Sequence, residues 1–243
     1  MDKTAEGWED APEIVGAAGV CVVVPAFNEE RTIQHVIGEL REAGLRRVVV
    51  IDDGSQDATA LLAALAGAEV VRHVLNRGLG AALGTGIHAA LVRGAEVIVT
   101  CDADGQHAAT DVRRALEPVM NGDADVVLGS RLLGAGHMPW QRRVANRIAN
   151  VCTRALCGMW TTDSQSGLRV FSRKAAERLE LECDGMEVSS VIAGEIARHG
   201  LRCVEVPIRS IYTEYSLSKG QSFRVGLRTL RKLLLKKAIG AGR

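Results

Sequence analysis

The sequence predicts an α/β protein with a mostly parallel central sheet and helices on both faces. Short, continuous apolar runs such as 20–24 (VCVVV) recur along the chain, and such runs are typical of strands buried on both sides. They alternate with segments of helical periodicity, as expected of a parallel sheet. Several runs end at acidic or polar clusters, and ligands of open α/β sheets bind beyond the carboxyl ends of the strands.

The alternation is regular from residue 20 to residue 129. The predicted helix over 29–43 places Ile33, Val36, Ile37 and Leu40 on one face, which indicates an amphipathic helix packed on the sheet. The predicted strands of this half are 20–27, 48–51, 69–74, 96–101 and 125–129, and its other predicted helices are 61–65, 79–92 and 111–121.

The second half is less regular, but the same elements continue. A helix over 142–157 carries a broad apolar face formed by Val144, Ile148, Val151 and Leu156. A strand over 168–171, a helix over 189–199 and a strand over 203–208 follow. A last helix is predicted over 221–239, with an apolar stripe of Phe223, Leu227, Leu230 and Leu234.

Charge and hydropathy exclude several protein classes. The 243 residues include 30 Lys and Arg against 29 Asp and Glu, a net charge of +1, so a nucleic-acid binder held mainly by bulk charge is excluded. No apolar run approaches the roughly 18 residues of a membrane span. The acidic N-terminus lacks a signal-peptide pattern. We therefore expect a cytoplasmic protein with a flexible acidic tail over 1–18 and one domain over 19–222.

The charges are segregated along the chain. Residues 215–243 hold eight basic side chains and no acidic one, whereas residues 1–18 hold five acids and one lysine. Basic clusters are attracted to anionic lipid surfaces. The segment 223–243 is therefore predicted to be a basic amphipathic helix that contacts the cytosolic face of a membrane peripherally. Packing of its apolar stripe on the protein body remains the alternative.

Two carboxylates follow the predicted strand over 96–101. Asp102 and Asp104 are two residues apart, so their side chains point the same way on an extended chain. Convergent carboxylates repel each other unless a cation or proton lies between them. Oxygen ligands suit Mg²⁺ or Mn²⁺, which also bind substrate phosphates. Gln106 and His107 are close enough to join this site, and solvated acids in a polar turn are the alternative.

Two further motifs mark strand ends. Asp52 and Asp53 follow the second predicted strand and form another acidic cluster. The segment 78–84 (GLGAALG) loosely matches a dinucleotide fingerprint, but it follows the third strand and has the spacing GxGxxxG. Close packing of the helix on small residues is the favoured interpretation of these glycines.

Seven segments in order resemble the motifs of glycosyltransferase family 2, and they span about residues 20–222. Within that family the chain is most similar to the dolichyl- or polyprenyl-phosphate sugar synthases. The resemblance implies a GT-A type nucleotide-sugar-binding fold and inverting transfer from a nucleoside-diphosphate sugar. The segments are 22–30 (VVVPAFNEE), 50–57 (VIDDGSQD), 76–87 (NRGLGAALGTGI), 100–107 (TCDADGQH), 126–131 (VVLGSR), 163–171 (DSQSGLRVF) and 205–209 (EVPIR).

The resemblance also implies roles for individual residues. It places the donor nucleotide against Pro25, Ala26, Asn28, Glu29, Asp52 and Asp53, and the cation and diphosphate against Asp102, Asp104 and Gln106. It places the acceptor phosphate against Arg131, with Arg142 or Arg143 as helpers, and Lys219 in a loop near the donor phosphates. The candidate catalytic residues are Asp104, Arg131 and Asp163.

The acceptor is expected to be a polyprenyl or dolichyl phosphate. The chain lacks the Glu-Asp pair and the QxxRW signature of sugar-polymerising relatives and has 163–167 (DSQSG) in the corresponding region. A phosphate monoester is mostly dianionic at neutral pH and needs no base, whereas a hydroxyl acceptor needs one. Asp163 is thus a positioning residue or a candidate base. Transfer to a soluble or protein-bound hydroxyl and a non-catalytic membrane-associated nucleotide-binding module remain alternatives, and the oligomeric state is not predicted.

Overall fold

The computed structural model describes residues 19–134 and 140–209. The predictions for the tail over 1–18, for the basic helix over 223–243 and for Lys219 lie outside the described residues. Within these residues the strands are β1 Val20–Ala26, β2 Val48–Asp52, β3 Glu69–Arg72, β4 Val97–Thr100, β5 Val126–Ser130, β6 Arg169–Ser172 and β7 Cys203–Pro207. The helices are α1 Ile33–Glu42, α2 Thr59–Leu65, α3 Leu79–Val92, α4 Ala109–Met120, α5 Trp140–Cys157, α6 Arg173–Ala176 and α7 Val188–Arg198.

The strands form one sheet in the order β3-β2-β1-β4-β6-β5-β7. Four of the six neighbouring pairs are parallel, namely β2–β3, β1–β2, β1–β4 and β5–β7. Strand β6 runs antiparallel to both neighbours, with Val99 opposite Val170 and Val127 opposite Val170. The predicted mostly parallel sheet is confirmed, and β6 is its one reversed strand among the described residues.

The continuous apolar runs are explained by burial on both faces of the sheet. Successive strand residues point to opposite faces, so Val22 and Val24 face α1 and α4 while Cys21 and Val23 face α3 and α7. Helices cover each face, and every residue of β2 and β4 is buried. The sequences of these central strands therefore lack the alternation of apolar and polar residues that is typical of a sheet with one exposed face.

The glycines of α3 allow close packing, as the sequence predicted. A Cβ on Gly86 would lie 2.2 Å from Cγ1 of Val23 in β1, and a Cβ on Gly80 would lie 2.2 Å from the carbonyl oxygen of Cys183. The amide of Gly80 donates to the carbonyl of Asp184 at 2.9 Å. The glycines thus let α3 pack closely on β1 and on the backbone at residue 183. The segment does not follow β1, as a dinucleotide site would require.

The helix predicted over 142–157 forms as α5, but three side chains of its predicted apolar face point outward. Val144, Ile148 and Val151 are exposed, whereas Asn146 and Asn150 are buried. The inner face packs against α7, where Thr153 and Ser190 share a hydrogen bond of 2.9 Å. The usual expectation that an apolar stripe marks the buried face is therefore wrong for α5.

Some boundaries differ from prediction. Strand β3 ends at Arg72, and the following Val74 is almost fully exposed in a loop. The four-residue helix α6 was not predicted; it begins where the Ser172 hydroxyl accepts a hydrogen bond from the amide of Ala175 at 3.2 Å.

The six cysteines are all unpaired. Among the described helices, none combines the length and the apolar character that crossing a membrane requires.

Close contact between α3 and β1 predicts opposite effects for two Gly-to-Ala substitutions. Gly86→Ala should lower the free energy of unfolding by about 1–3 kcal/mol, because its methyl group would overlap Val23 in the packed core. Gly38→Ala, on α1, should be neutral or stabilise by up to about 1 kcal/mol, because no atom lies within 4 Å of the new Cβ. Urea denaturation of both variants measures the difference. Equal effects would contradict the proposed packing.

Candidate active site

The polar strand ends predicted from the sequence meet at one edge of the sheet. The carboxyl ends of the parallel strands β1, β2, β4 and β5 lie at this edge. Because β6 is antiparallel to β4 and β5, its amino end lies at the same edge. The loop over 163–168, which enters β6, is thereby placed between the segments that follow β4 and β5.

The loops that follow β1 and β2 are tied together by hydrogen bonds. The amide of Asn28 donates to the Ser55 hydroxyl at 2.9 Å, and the amide of Gln56 donates to the Asn28 side-chain oxygen at 2.9 Å. Asn28 has a φ of +54°, a left-handed conformation that asparagine tolerates better than most residues. The amide of Glu29 donates to the Thr59 hydroxyl at 2.7 Å. Asn28 and Glu29 therefore shape the rim of the site.

An open cavity of about 640 Å³ lies beside these loops. Its walls come from the segment after β1, the segment after β2 and the end of β3 with the loop that follows. The half-exposed ring of Phe27 stands at its edge. The lining residues are Phe27, Gly54, Ser55, Gln56, Arg72, His73, Val74, Leu75 and Asn76.

The two acids after β2 have different surroundings. Asp52 is fully buried and accepts a hydrogen bond from the amide of Ser55 at 3.0 Å. Its Oδ2 lies 3.0 Å from Nε of Arg72 in an ion pair, but it receives no hydrogen bond of good geometry. Asp53 accepts hydrogen bonds from His73 and from the amides of Arg77 and Gly78 at 2.7–2.9 Å. Asp53 thus orders the loop that leads into α3.

Asp102 and Asp104 lie directly after β4 and influence each other's ionisation. Burial raises the pKa of Asp104, and the negative charge of Asp102 raises it further. Burial also raises the pKa of Asp102, but the hydrogen bond and charge of His107, with the charges of Arg169 and Arg131, lower it below its usual value. One carboxylate is therefore firmly ionised, and the other is destabilised as an anion until a positive charge approaches.

Two neighbours hold these carboxylates in place. Nε2 of His107 lies 3.2 Å from Oδ2 of Asp102, while its buried Nδ1 has no hydrogen-bond partner. The amide of Gln106 donates to Asp104 at 3.1 Å, and the Gln106 side-chain amide also donates to Asp104. A Cβ on Gly167 would lie 2.1 Å from both carboxylate oxygens of Asp102. Only glycine fits at this point of the loop that enters β6.

The residues after β4 fit a divalent cation. Asp102, Asp104 and Gln106 offer the hard oxygen atoms that Mg²⁺ and Mn²⁺ prefer. No cluster of three or more His, Cys, Asp or Glu side chains suited to a metal occurs among the described residues. A set of two carboxylates and one amide leaves coordination positions for water and substrate phosphates, which is typical of Mg²⁺ sites in phosphate-handling enzymes.

Arg131 and Asp163 form a bidentate ion pair beside this site. Nε and Nη2 of Arg131 donate to the two carboxylate oxygens of Asp163 at 2.7 and 2.8 Å, and the Arg131 amide donates at 3.0 Å. The Asn146 side chain donates to Asp163 at 2.7 Å. Burial alone would raise the pKa of Asp163. These hydrogen bonds and the Arg131 charge outweigh burial and lower the pKa below its usual value, so the carboxylate stays ionised. The geometry favours the positioning role over the role of base.

Comparison with known proteins identifies the family. The family model described as Glycosyl transferase family 2 matches residues 21–180. The chain belongs to glycosyl transferase family 2. A UDP-N-acetylglucosamine–dolichyl-phosphate N-acetylglucosaminyltransferase of Methanococcus voltae is 33% identical over 240 residues, covering 90% of this chain and 96% of that protein. A polyprenol monophosphomannose synthase of Mycolicibacterium smegmatis is 34% identical over 225 residues, covering 87% and 84%. The resemblance to the polyprenyl-phosphate branch is confirmed.

A solved structure confirms the fold of this glycosyltransferase. Glucosyl-3-phosphoglycerate synthase of Mycobacterium tuberculosis, crystallised with Mn²⁺, UDP-glucose and phosphoglyceric acid, matches with a TM-score of 0.72 at 22% identity. The match covers 97% of this chain and 86% of that one. At this identity the likeness establishes the GT-A type architecture, and the ligands belong to that enzyme.

A partly buried polar network supports the Arg131–Asp163 ion pair of the glycosyltransferase. Glu205 of β7 accepts hydrogen bonds from the Thr161 hydroxyl at 2.6 Å and from the Thr162 amide at 2.8 Å. The Thr162 hydroxyl lies 2.6 Å from that of Ser130 at the end of β5. Asn150 donates to the carbonyl of Thr162. This network fixes the segment that carries Asp163 relative to the strand that carries Arg131.

Arg169 is a site residue that sequence reasoning missed. It is buried at the start of β6 and donates to the Ser189 hydroxyl of α7 at 2.8 Å. Burial lowers the pKa of its guanidinium to about 10, against the attraction of the Asp102 and Asp163 carboxylates. A buried positive charge of the glycosyltransferase thus interacts with both acidic positions. The sequence feature that could have revealed this residue is an arginine inside an otherwise apolar run, 168–171 (LRVF).

The other predicted site residues are less informative. Pro25 and Ala26 end β1 and contribute backbone beside the cavity, with Ala26 accepting a hydrogen bond from the amide of Asp53 at 2.9 Å. Arg143 is exposed on α5. Arg142 lies on the same helix, and its side chain is outside what the structure describes.

The contact between Gly167 and Asp102 predicts a specific defect in cation binding. Gly167→Ala should weaken Mn²⁺ binding in the presence of UDP at least about tenfold, because the new methyl group must displace the Asp102 carboxylate. Calorimetry measures the affinity, and thermal unfolding checks the fold. Gly38→Ala serves as the matched control, with no atom near the added methyl. An unchanged Mn²⁺ affinity in Gly167→Ala would show that Asp102 does not hold the cation.

The buried Asp163–Arg131 pair predicts a pH-dependent contribution to stability. Asp163→Asn should lower the free energy of unfolding by about 3 kcal/mol at neutral pH, because it leaves the largely buried Arg131 without this counter-charge. The folded pKa of Asp163 is depressed, so its contribution is complete above the unfolded value of about 3.9 and is lost as pH falls through the folded value. Urea denaturation across pH should show the two proteins converging only below about pH 4.

The matched control for this pair is Asp125→Asn. Arg202 also donates to both Asp125 oxygens, at 3.0 and 3.1 Å, but its side chain is mostly exposed. This substitution should cost at most about 1 kcal/mol. Equal losses in the two variants would contradict the special role of burial at Asp163.

Proposed function

We propose that this family 2 glycosyltransferase moves one sugar, with inversion, from a UDP- or GDP-linked donor to a polyprenyl or dolichyl phosphate, assisted by Mg²⁺ or Mn²⁺. The observation that carries the proposal is the state of Asp163. This acid is buried, ionised and bonded to Arg131 and Asn146, so it is poorly suited to take a proton from a hydroxyl acceptor. An acceptor that arrives already anionic fits such a site.

The cavity beside β1, β2 and β3 supports a nucleoside at the donor end. The Phe27 ring offers an apolar surface for a base at its edge. Oδ2 of Asp52 is buried and ion-paired with Arg72 but receives no hydrogen bond of good geometry, and both uracil and guanine present a ring N–H that could donate to it. We place the base here, with Asn28 and Glu29 at the rim. The M. voltae relative uses a UDP-linked donor by its name, which is consistent with this placement.

The segment after β4 supports a cation at the diphosphate. Asp102 and Asp104, with Gln106, would hold Mg²⁺ or Mn²⁺, which when bound offsets the negative charge that grows on the departing nucleoside diphosphate. The raised pKa of Asp104, caused by burial and by Asp102, supports a positive charge binding here. Because the protein ligands are few, the donor phosphates should complete the coordination. Cation and nucleotide are thus expected to bind cooperatively.

Arg131 supports a phosphate at the acceptor end. Its guanidinium is held by Asp163 at the carboxyl end of β5, and arginine suits bidentate phosphate binding. Arg143, exposed on the neighbouring α5, is a candidate helper. In the proposed step a phosphate oxygen attacks the anomeric carbon while the bond from that carbon to the nucleoside diphosphate breaks. The new bond forms on the opposite face, so the configuration inverts.

Activity measurements test the proposal directly. Purified full-length protein is incubated with radiolabelled UDP- and GDP-sugars, Mn²⁺ or Mg²⁺, and either undecaprenyl phosphate or undecaprenol. We expect labelled lipid with at least one donor, only from the phosphate and only with a cation. Asp104→Asn should lower kcat roughly 100-fold, the scale for losing one preorganised electrostatic contact. Asp123→Asn, an exposed acid before β5 and at the opposite edge of the sheet, should leave the rate unchanged.

Other outcomes identify the alternatives. Transfer to undecaprenol or to a soluble alcohol, with loss of activity in Asp163→Asn beyond its effect on stability, would indicate a hydroxyl acceptor. Full activity in Asp104→Asn would contradict the cation site. No transfer with any pair, together with no cation-dependent nucleotide binding in calorimetry, would favour a non-catalytic binding protein.

A further inference from the structure

Helix α5 has its polar and apolar faces in the reverse of the usual arrangement. Val144, Ile148 and Val151 are 48%, 57% and 58% exposed, and their spacing places them on one stripe of the helix. At about 100° per residue, Asn146 and Asn150 lie on the opposite side, and both are buried. An exposed stripe of large apolar side chains on an ordered helix is a feature that marks interaction surfaces.

The charges of α5 have one sign. The helix contains four arginines and no acidic residue. By the same helical geometry, Arg147 and Arg154 lie along one border of the apolar stripe. Beyond the helix, Trp160 is also half exposed, and the Arg154 guanidinium lies 5.2 Å from the centre of its ring. Apolar side chains beside arginines and a tryptophan are the composition of surfaces that lie in a membrane interface.

We propose that the outer face of α5, formed by Val144, Ile148 and Val151 and bordered by Arg147 and Arg154, docks on an anionic phospholipid bilayer. The apolar stripe enters the interfacial layer, and the arginines contact lipid phosphates. This surface is distinct in sequence from the basic segment over 223–243. The proposal does not depend on the reaction, because it concerns binding of the protein to lipid alone.

Charge complementarity favours a bilayer over other occupants. The segment over 215–243 has eight basic residues and no acid, so packing it on the arginine-bordered stripe would bring like charges together. A second copy docked through the same face would also oppose arginine to arginine. An anionic lipid surface instead attracts both basic regions of one molecule.

The inner face of α5 connects this surface to the site. Asn146 donates to Asp163, the partner of Arg131, and Asn150 donates to the carbonyl of Thr162. One helix therefore has the proposed lipid contact on one side and the supports of Arg131 on the other. A bilayer docked on α5 would lie one helix diameter, about 10 Å, from the ion pair.

Vesicle sedimentation tests the surface. Full-length wild type, Ile148→Asp/Val151→Asp and the control Leu61→Asp/Leu65→Asp are mixed with vesicles of phosphatidylcholine, with and without phosphatidylglycerol. The control residues are exposed by 63% and 69% on α2, away from α5, and the substitutions change charge equally. We expect binding to the vesicles with phosphatidylglycerol to fall at least about tenfold in the α5 pair and less than about twofold in the control.

Further measurements decide among the outcomes. Arg147→Glu should weaken binding to the anionic vesicles only, and added salt should reduce that difference. Circular dichroism confirms folding, and Ile148→Ser/Val151→Ser replaces the aspartate pair if that pair unfolds. Equal binding of the α5 pair and wild type would overturn the proposal. A lipid-free dimer that Ile148→Asp/Val151→Asp dissociates would assign the face to a second copy instead.

Proteolysis tests the last alternative. If the α5 pair exposes the segment 210–243 to trypsin without lipid and binds vesicles like wild type, the stripe holds that segment, and the proposal is wrong. Unchanged cleavage together with lost vesicle binding supports it. Because no donor or acceptor is present in these experiments, a failure here leaves the proposed glycosyl transfer to be judged by activity alone.

Discussion

The reversed strand β6 is the constraint on which the site depends. If β6 were parallel to β4 and β5, the loop over 163–168 would enter it from the opposite edge of the sheet. Antiparallel pairing with both neighbours places that loop beside the ends of β4 and β5. Gly167 then packs on Asp102, and Asp163 meets Arg131. One strand direction thus joins the proposed cation-binding end and the proposed acceptor end of the site.

Alternation of charge makes this arrangement stable. Two acids after β4 and the acid in the loop before β6 would repel one another if they were the only charges present. Arg131 pairs with Asp163, and the buried Arg169 attracts both Asp102 and Asp163. Asp104 is left with a raised pKa, because burial and Asp102 disfavour its anion. The uncompensated charge of the site is concentrated where a divalent cation would bind.

Much of the fold was predictable because its signals are local. Continuous apolar runs indicate strands buried on both faces, and the acids that follow them mark the ligand edge. The direction of β6 was not predictable, since a buried run such as 168–171 has the same pattern in either direction. The Arg131–Asp163 pair joins residues far apart in sequence, and α6 is too short to show a helical period.

The outward apolar face of α5 shows why composition alone misassigns some helices. An apolar stripe is usually buried because burial removes it from water. In α5 the buried side instead supplies side-chain amides that donate to Asp163 and to the carbonyl of Thr162. Asn146 and Asn150 therefore face inward, and the residues half a turn away face outward. Their apolar character is not required by the protein core, so it calls for a partner outside it.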